Sequence, residues 1–99
     1  MSLNLVFHPK AEEEYIASYK WYEEQQQGLA LRFESAIELI IEQISDNPEW
    51  YGYGHKPYRE AIVDGFPFVI VYKYNYKKEE IYIVSVHHTK RSARGKYRK

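Results

Sequence analysis

Cysteine is absent from this 99-residue chain, which excludes a disulfide framework and thiolate metal sites and fits a reducing interior. No apolar run approaches the length of a membrane span, and the opening MSLNLVFHPK is too weakly apolar for a secretory leader. A soluble cytoplasmic protein is expected, with no membrane partner. There are no internal repeats. Net charge is missing too, because the formal charges sum to zero. What the chain does have is apolar and aromatic content, 44% and 17%, with tyrosine accounting for 11 residues. That composition predicts folding, and the length allows one domain over residues 1–99 with a single modest core. Tyrosine buries a ring while keeping a polar tip, so many tyrosines should line sheet faces and a rim.

The zero sum hides an asymmetry. From Ala11 to Glu60 acids dominate, and the only bases are Lys20, Arg32, Lys56 and Arg59. From His87 to Lys99 there is no acid, while Lys90, Arg91, Arg94, Lys96, Arg98 and Lys99 are basic. A field acts on a partner where it lies, so the basic segment over residues 88–99 matters more than the total.

Leu3 to Phe7 is a short apolar run, read as a first strand ended by His8-Pro9. Pro9 suits a first helical turn, and Glu12, Glu13 and Glu14 follow where negative charge favours the helix dipole. Ala11, Tyr15, Tyr19 and Tyr22 recur at helical spacing, with Ile16 beside them. Gly28 fits the turn that ends this helix. Leu29, Phe33, Ala36, Ile37, Ile40, Ile41 and Ile44 form one apolar stripe, opposite Glu34, Glu38 and Glu42, and Asn47-Pro48 stops the second helix. Glu49 to Pro57 (EWYGYGHKP) reads as a loop. Tyr58–Val63 and Phe66–Asn75 read as strands joined at Asp64-Gly65, a hairpin signal. Glu80–His87 reads as an interior strand, because both of its faces are apolar over Ile81–Val84. The expected fold is α+β, in the order β-αα-βββ, with a helical hairpin packed on a small antiparallel sheet.

The words WYEEQQQGLALRF, YRxxxVDGFPFVIVYKY and IxIVSVHHTKR, in this order and spacing, resemble the RelE/ParE superfamily, the toxins of type II toxin–antitoxin pairs also known as plasmid stabilisation proteins. Tyr15, Trp21, Tyr22, Gly28, Phe33, Pro48, Arg59, Phe68, Tyr72, His87 and Arg91 are among the matching residues. The resemblance covers nearly the whole chain. It implies a bacterial growth-inhibiting toxin held inactive by a cognate antitoxin in a hetero-oligomer, with the same fold that periodicity predicts. One branch cuts mRNA on the ribosome, and the other poisons DNA gyrase without cleaving a bond. A metal-independent nuclease needs a proton acceptor, a proton donor and cations for the phosphate. Arg59, His87, Arg91 and Tyr97 are the residues suited to those roles. In the nuclease branch an arginine commonly precedes the tyrosine of the central strand by three residues, and Val69 stands there. That branch is also usually basic throughout, whereas the helices here are acidic, a face that RNA would repel. The ParE-like reading is therefore favoured, with the nuclease and an inactive antitoxin-binding module as alternatives.

For target or antitoxin binding the candidates are Trp21, Arg59, His88, Lys90, Arg91, Arg94, Lys96 and Arg98. Trp21 falls off the helical stripe and is expected to be exposed. His87 and His88 point to opposite faces of a strand, so they cannot easily chelate one ion, and neither a metal nor any other cofactor is expected. Arg59 also has a purely structural reading, as a strand arginine paired with a nearby carboxylate. The basic end reads either as a disordered tail or as a segment that folds back. In the functional reading it lies beside Arg59 in one continuous electropositive patch.

Overall fold

The computed structural model describes residues 3–99. The order is β1 (Asn4–Phe7), α1 (Pro9–Gln25), α2 (Leu29–Asp46), β2 (Tyr53–His55), β3 (Tyr58–Ile62), β4 (Phe68–Asn75) and β5 (Glu80–His88). Two helices pack on one face of a five-stranded sheet ordered β1-β5-β4-β3-β2.

The expected α+β architecture is present, with two additions. A three-residue strand, β2, lies within the segment expected to be loop. All three of its residues are exposed, so it carries no apolar alternation to read. The sheet is also mixed rather than purely antiparallel. β1 runs parallel to β5, with Leu5 opposite Ile81 and Phe7 opposite Ile83, while the remaining pairs are antiparallel.

Helix α1 starts on Pro9, and the His8 ring caps it by accepting from the Lys10 N–H at 2.9 Å. Gly28 adopts a left-handed φ of 86° between the helices, a conformation that glycine takes at little cost. It offers α2 no side-chain cap. The carboxylate of Glu23 on α1 replaces one, accepting from the N–H groups of Gly28 and Ala30. The acidic face of α1 is thus partly structural rather than wholly solvated.

Helix α2 buries Ala30, Phe33, Ile37, Ile40 and Ile44 along one stripe. Phe33 is the hub of an aromatic cluster, with Tyr15, Tyr22, Phe66 and Phe68 around it at centroid distances of 5.0–5.7 Å. On the sheet, Ile70, Tyr72, Ile81, Ile83 and Val86 face the helices. Tyr58, Val69, Val71 and Val84 form a second small cluster on the outer face. Strand β5 is buried on both faces because the helices cover one and the returning residues 96–98 cover part of the other.

Beyond Ile83, β5 has no strand partner on the β1 side among the described residues, which leaves an open edge of the kind that invites aggregation. Two charged side chains occupy it. Glu14 accepts from the Val86 N–H at 3.0 Å, and Arg98 donates to the Val84 carbonyl at 2.9 Å. The same two residues form a bidentate ion pair at 2.7 and 2.9 Å, with each side chain only 18% exposed. The basic end therefore folds back over the outer face instead of trailing as a tail. Ser85 Oγ donates to the Lys96 carbonyl, and the Tyr58 hydroxyl donates to the Arg98 carbonyl. Tyr97 stacks near Tyr58 and His55 and donates its hydroxyl to Glu60. Gly54 makes this fit, since a Cβ there would collide with the Glu60 carboxylate and crowd the Tyr97 oxygen.

Candidate functional site

Where α1 crosses the start of β4 and the end of β5, the surface opens into a cavity of about 450 Å³. Ala17 and Ser18 leave the hollow because they are small, and Trp21, one turn further along α1, forms a wall. Trp21 packs edge-on against Tyr22 at 5.2 Å and stays 55% exposed. Phe68 and His88 supply the opposite side, with their rings edge-on at 5.0 Å. Past β5, the Thr89 N–H bonds the Pro67 carbonyl, the Lys90 N–H bonds His88 Nδ1, and the Arg91 N–H bonds the His88 carbonyl. This tight turn sets Lys90 and Arg91 on the cavity's rim.

Four candidate binding residues, Trp21, His88, Lys90 and Arg91, are thus brought together. Aromatic walls beside two exposed cations suit an apolar or aromatic side chain flanked by carboxylates. The lining also includes Tyr22 and Phe68, which pattern alone assigns to the core, and Ala17 and Ser18. The one available signal for the hollow is that small pair a turn before an off-stripe tryptophan. Arg94 is exposed beyond the turn and does not line the cavity.

The expected continuous patch does not form, because the sheet separates its parts. Arg59 lies opposite Tyr72 on the helix side of the sheet. There it donates to the carbonyls of Tyr51 at 2.7 Å and Glu49 at 3.2 Å and to the Tyr53 hydroxyl at 2.9 Å, with its guanidinium 4.2 Å over the Tyr53 ring. It clamps a loop and, among the described residues, makes no carboxylate pair. Lys96 and Tyr97 lie on the outer face, where Lys96 pairs with Glu60 at 3.1 Å and Arg98 with Glu14. These cations are neutralised in place. Burial would lower the Lys96 ammonium, but its bond to Glu60 and the charge of Glu60 hold it above its usual value.

The residues suited to RNA cleavage are divided by the sheet. Arg59 is on the helix side, whereas His87 and Tyr97 share the outer face and the backbone of Arg91, at the cavity, lies beside the His87 ring. His87 is buried, which pushes its pKa below the ordinary 6.5, and the nearby Lys96 ammonium lowers it further. The folded protein then prefers neutral His87, while the unfolded chain takes up a proton near pH 6.5. Stability attributable to His87 is full above that pH and falls as the solution is acidified through it. A wild-type melting temperature that declines between pH 7 and 5.5, with a shallower decline for His87→Gln, is the expected result in calorimetry. Equal slopes for the two proteins would refute this.

A helical hairpin on a five-stranded mixed sheet, bearing an aromatic and cationic cavity, defines a small α+β domain. Residues 5–93 match the family described as the ParE toxin of type II toxin-antitoxin system, parDE, and the chain belongs to that family. No curated protein sequence matches it. Among solved structures it resembles one described as the chromosomal ParDE TA system from P. aeruginosa, at a TM-score of 0.76 and 17% identity, covering 90% of this chain and 98% of that one. At that identity the likeness concerns the fold. Among the described residues, no helix is long and apolar enough to cross a membrane.

Proposed function

We propose that the protein is the toxin of a type II pair that arrests growth in the cytoplasm by binding its target, DNA gyrase, and not by cutting RNA. An acidic antitoxin segment neutralises it, anchored in the cavity at Trp21, His88, Lys90 and Arg91 and continuing over the helices and sheet. Arg94, exposed just beyond the turn, adds to the attraction for that segment. The observation that carries this reading is the contrast between two sets of residues. Four of the residues suited to docking, Trp21, His88, Lys90 and Arg91, share one cavity, whereas Arg59, the phosphate clamp of the nuclease reading, lies on the opposite face of the sheet from His87 and Tyr97.

The test uses purified toxin in two assays. Plasmid supercoiling by purified gyrase is expected to be inhibited, while ribosome-bound mRNA in a translation reaction stays whole. Codon-specific cleavage of that mRNA would sink the reading and favour the ribosome-dependent endonuclease. Inertness in both assays, with growth unaffected, would favour the inactive binding module. The double charge reversal Lys90→Glu with Arg91→Glu is expected to weaken capture of the cognate antitoxin by at least tenfold, roughly the size of effect that desolvated interfacial charge pairs produce.

A further inference from the structure

Trp50 is 81% exposed, the highest value among the large apolar side chains described. An indole in that position contributes almost nothing to folding, yet the backbone around it is firmly held. The Trp50 N–H bonds the Asn47 carbonyl at 3.1 Å. On one side of it the Pro48 carbonyl accepts from the buried Tyr72 hydroxyl at 2.8 Å, and the Glu49 carbonyl accepts from Arg59. On the other side the Tyr51 carbonyl accepts from Arg59, and the Gly52 carbonyl accepts from the Glu60 N–H at 3.1 Å. A rigid loop that holds a tryptophan out into solvent has already lost the conformational freedom that binding would otherwise remove. Tryptophan is among the residues enriched as interfacial anchors.

We infer that Trp50 anchors a second docking surface, with which the toxin grips its target: a protein presenting an apolar pocket flanked by basic side chains. The inference rests on the reading that growth arrest comes from binding. The partner's chemistry follows from the surroundings. Beside Trp50 lies a shallow recess of about 400 Å³ lined by Asp46, Pro48, Glu49 and Tyr74, so two carboxylates border the indole. The cavity at Lys90 and Arg91 asks for an acidic occupant, and the Trp50 surface asks for a basic one. One segment of one charge does not satisfy both. They also sit toward opposite ends of β4, at Phe68 and Tyr74, about 20 Å apart at the rise of an extended strand. Arg59 is the positioning residue of this surface, since it holds the carbonyls on both sides of Trp50.

The test expresses the full chain, wild type and Trp50→Ala, Trp50→Phe and Glu49→Lys, in a host lacking the antitoxin. Wild type should arrest growth. Trp50→Ala should need at least tenfold more protein for the same arrest, Trp50→Phe less than that, and Glu49→Lys should also be weakened. All three should melt within a few degrees of wild type by circular dichroism, and all should bind the cognate antitoxin as tightly as wild type. Undiminished arrest by Trp50→Ala overturns the inference alone. So does a parallel loss of binding to the cognate antitoxin, which would assign the surface to that partner, or a collapsed melting curve, which would make the indole structural. A wild type that does not arrest growth overturns the parent reading as well as this one.

Discussion

Replacing Phe33 with alanine is expected to lower stability by about 3–5 kcal/mol, the usual range for removing a large buried ring. Phe33 is fully buried on α2, and its ring touches the aromatic side chains of α1, the segment before β4, and β4 itself. Four rings lose a shared partner, and none can move far enough to fill the space without leaving its own contacts. A domain of this size has only about 5–15 kcal/mol in total, so the variant sits near the edge of folding. Its melting temperature should fall by roughly 15–30 °C. Phe33→Leu, which leaves a smaller void, should lose much less. The comparison is made by denaturant titration and calorimetry, and a Phe33→Ala variant within about 1 kcal/mol of wild type would show that the cluster is not the centre of the core.

Glu14→Ala should be nearly as damaging, at about 2–4 kcal/mol, a figure set below the full cost of breaking a buried pair because both partners keep some solvent contact. The substitution removes both bonds to Arg98 and strands the Val86 N–H on the open edge of β5. The Arg98 guanidinium is left without its counter-charge against the sheet. Glu14→Gln, which keeps an acceptor for Val86 but not the charge, should fall between the two. A double-mutant cycle with Arg98→Ala should show coupling of about 1–3 kcal/mol. Trypsin should cut after Lys96 and Arg98 sooner in Glu14→Ala than in wild type, because the returning segment has lost its fastening. Unchanged cleavage together with additive losses would show that the pair contributes independently of the strap.

Much of this fold is legible in the sequence where information is local. The stripe from Phe33 to Ile44 has no strand alternative, Gly28 and Asn47-Pro48 punctuate it, and β4 and β5 carry enough apolar residues to need burial on both faces. What is not legible depends on partners distant along the chain. The parallel pairing of β1 with β5, the return of residues 96–98 over the outer face and the capping of α2 by Glu23 all join groups that no periodicity links. The same holds for Arg59: its residue type suggests a carboxylate or a phosphate, yet it holds three oxygens of its own chain. The basic segment is readable as charge but not as geometry, since Lys96 and Arg98 turn inward while Lys90 and Arg91 face the cavity. Trp21 is readable as an exposed aromatic off the helical stripe, whereas Trp50 is readable only as an aromatic in a loop, and the backbone around it decides its role.

The union of the first strand with the last sets a timetable. Non-local pairing is slow, because the whole intervening chain must be gathered before any contact rewards it. During synthesis β1 waits without a neighbour until β5 emerges, although the helical hairpin has long since been made. Lys90 and Arg91 come later still, so the cationic rim of the cavity takes shape only after both strands of that pairing exist.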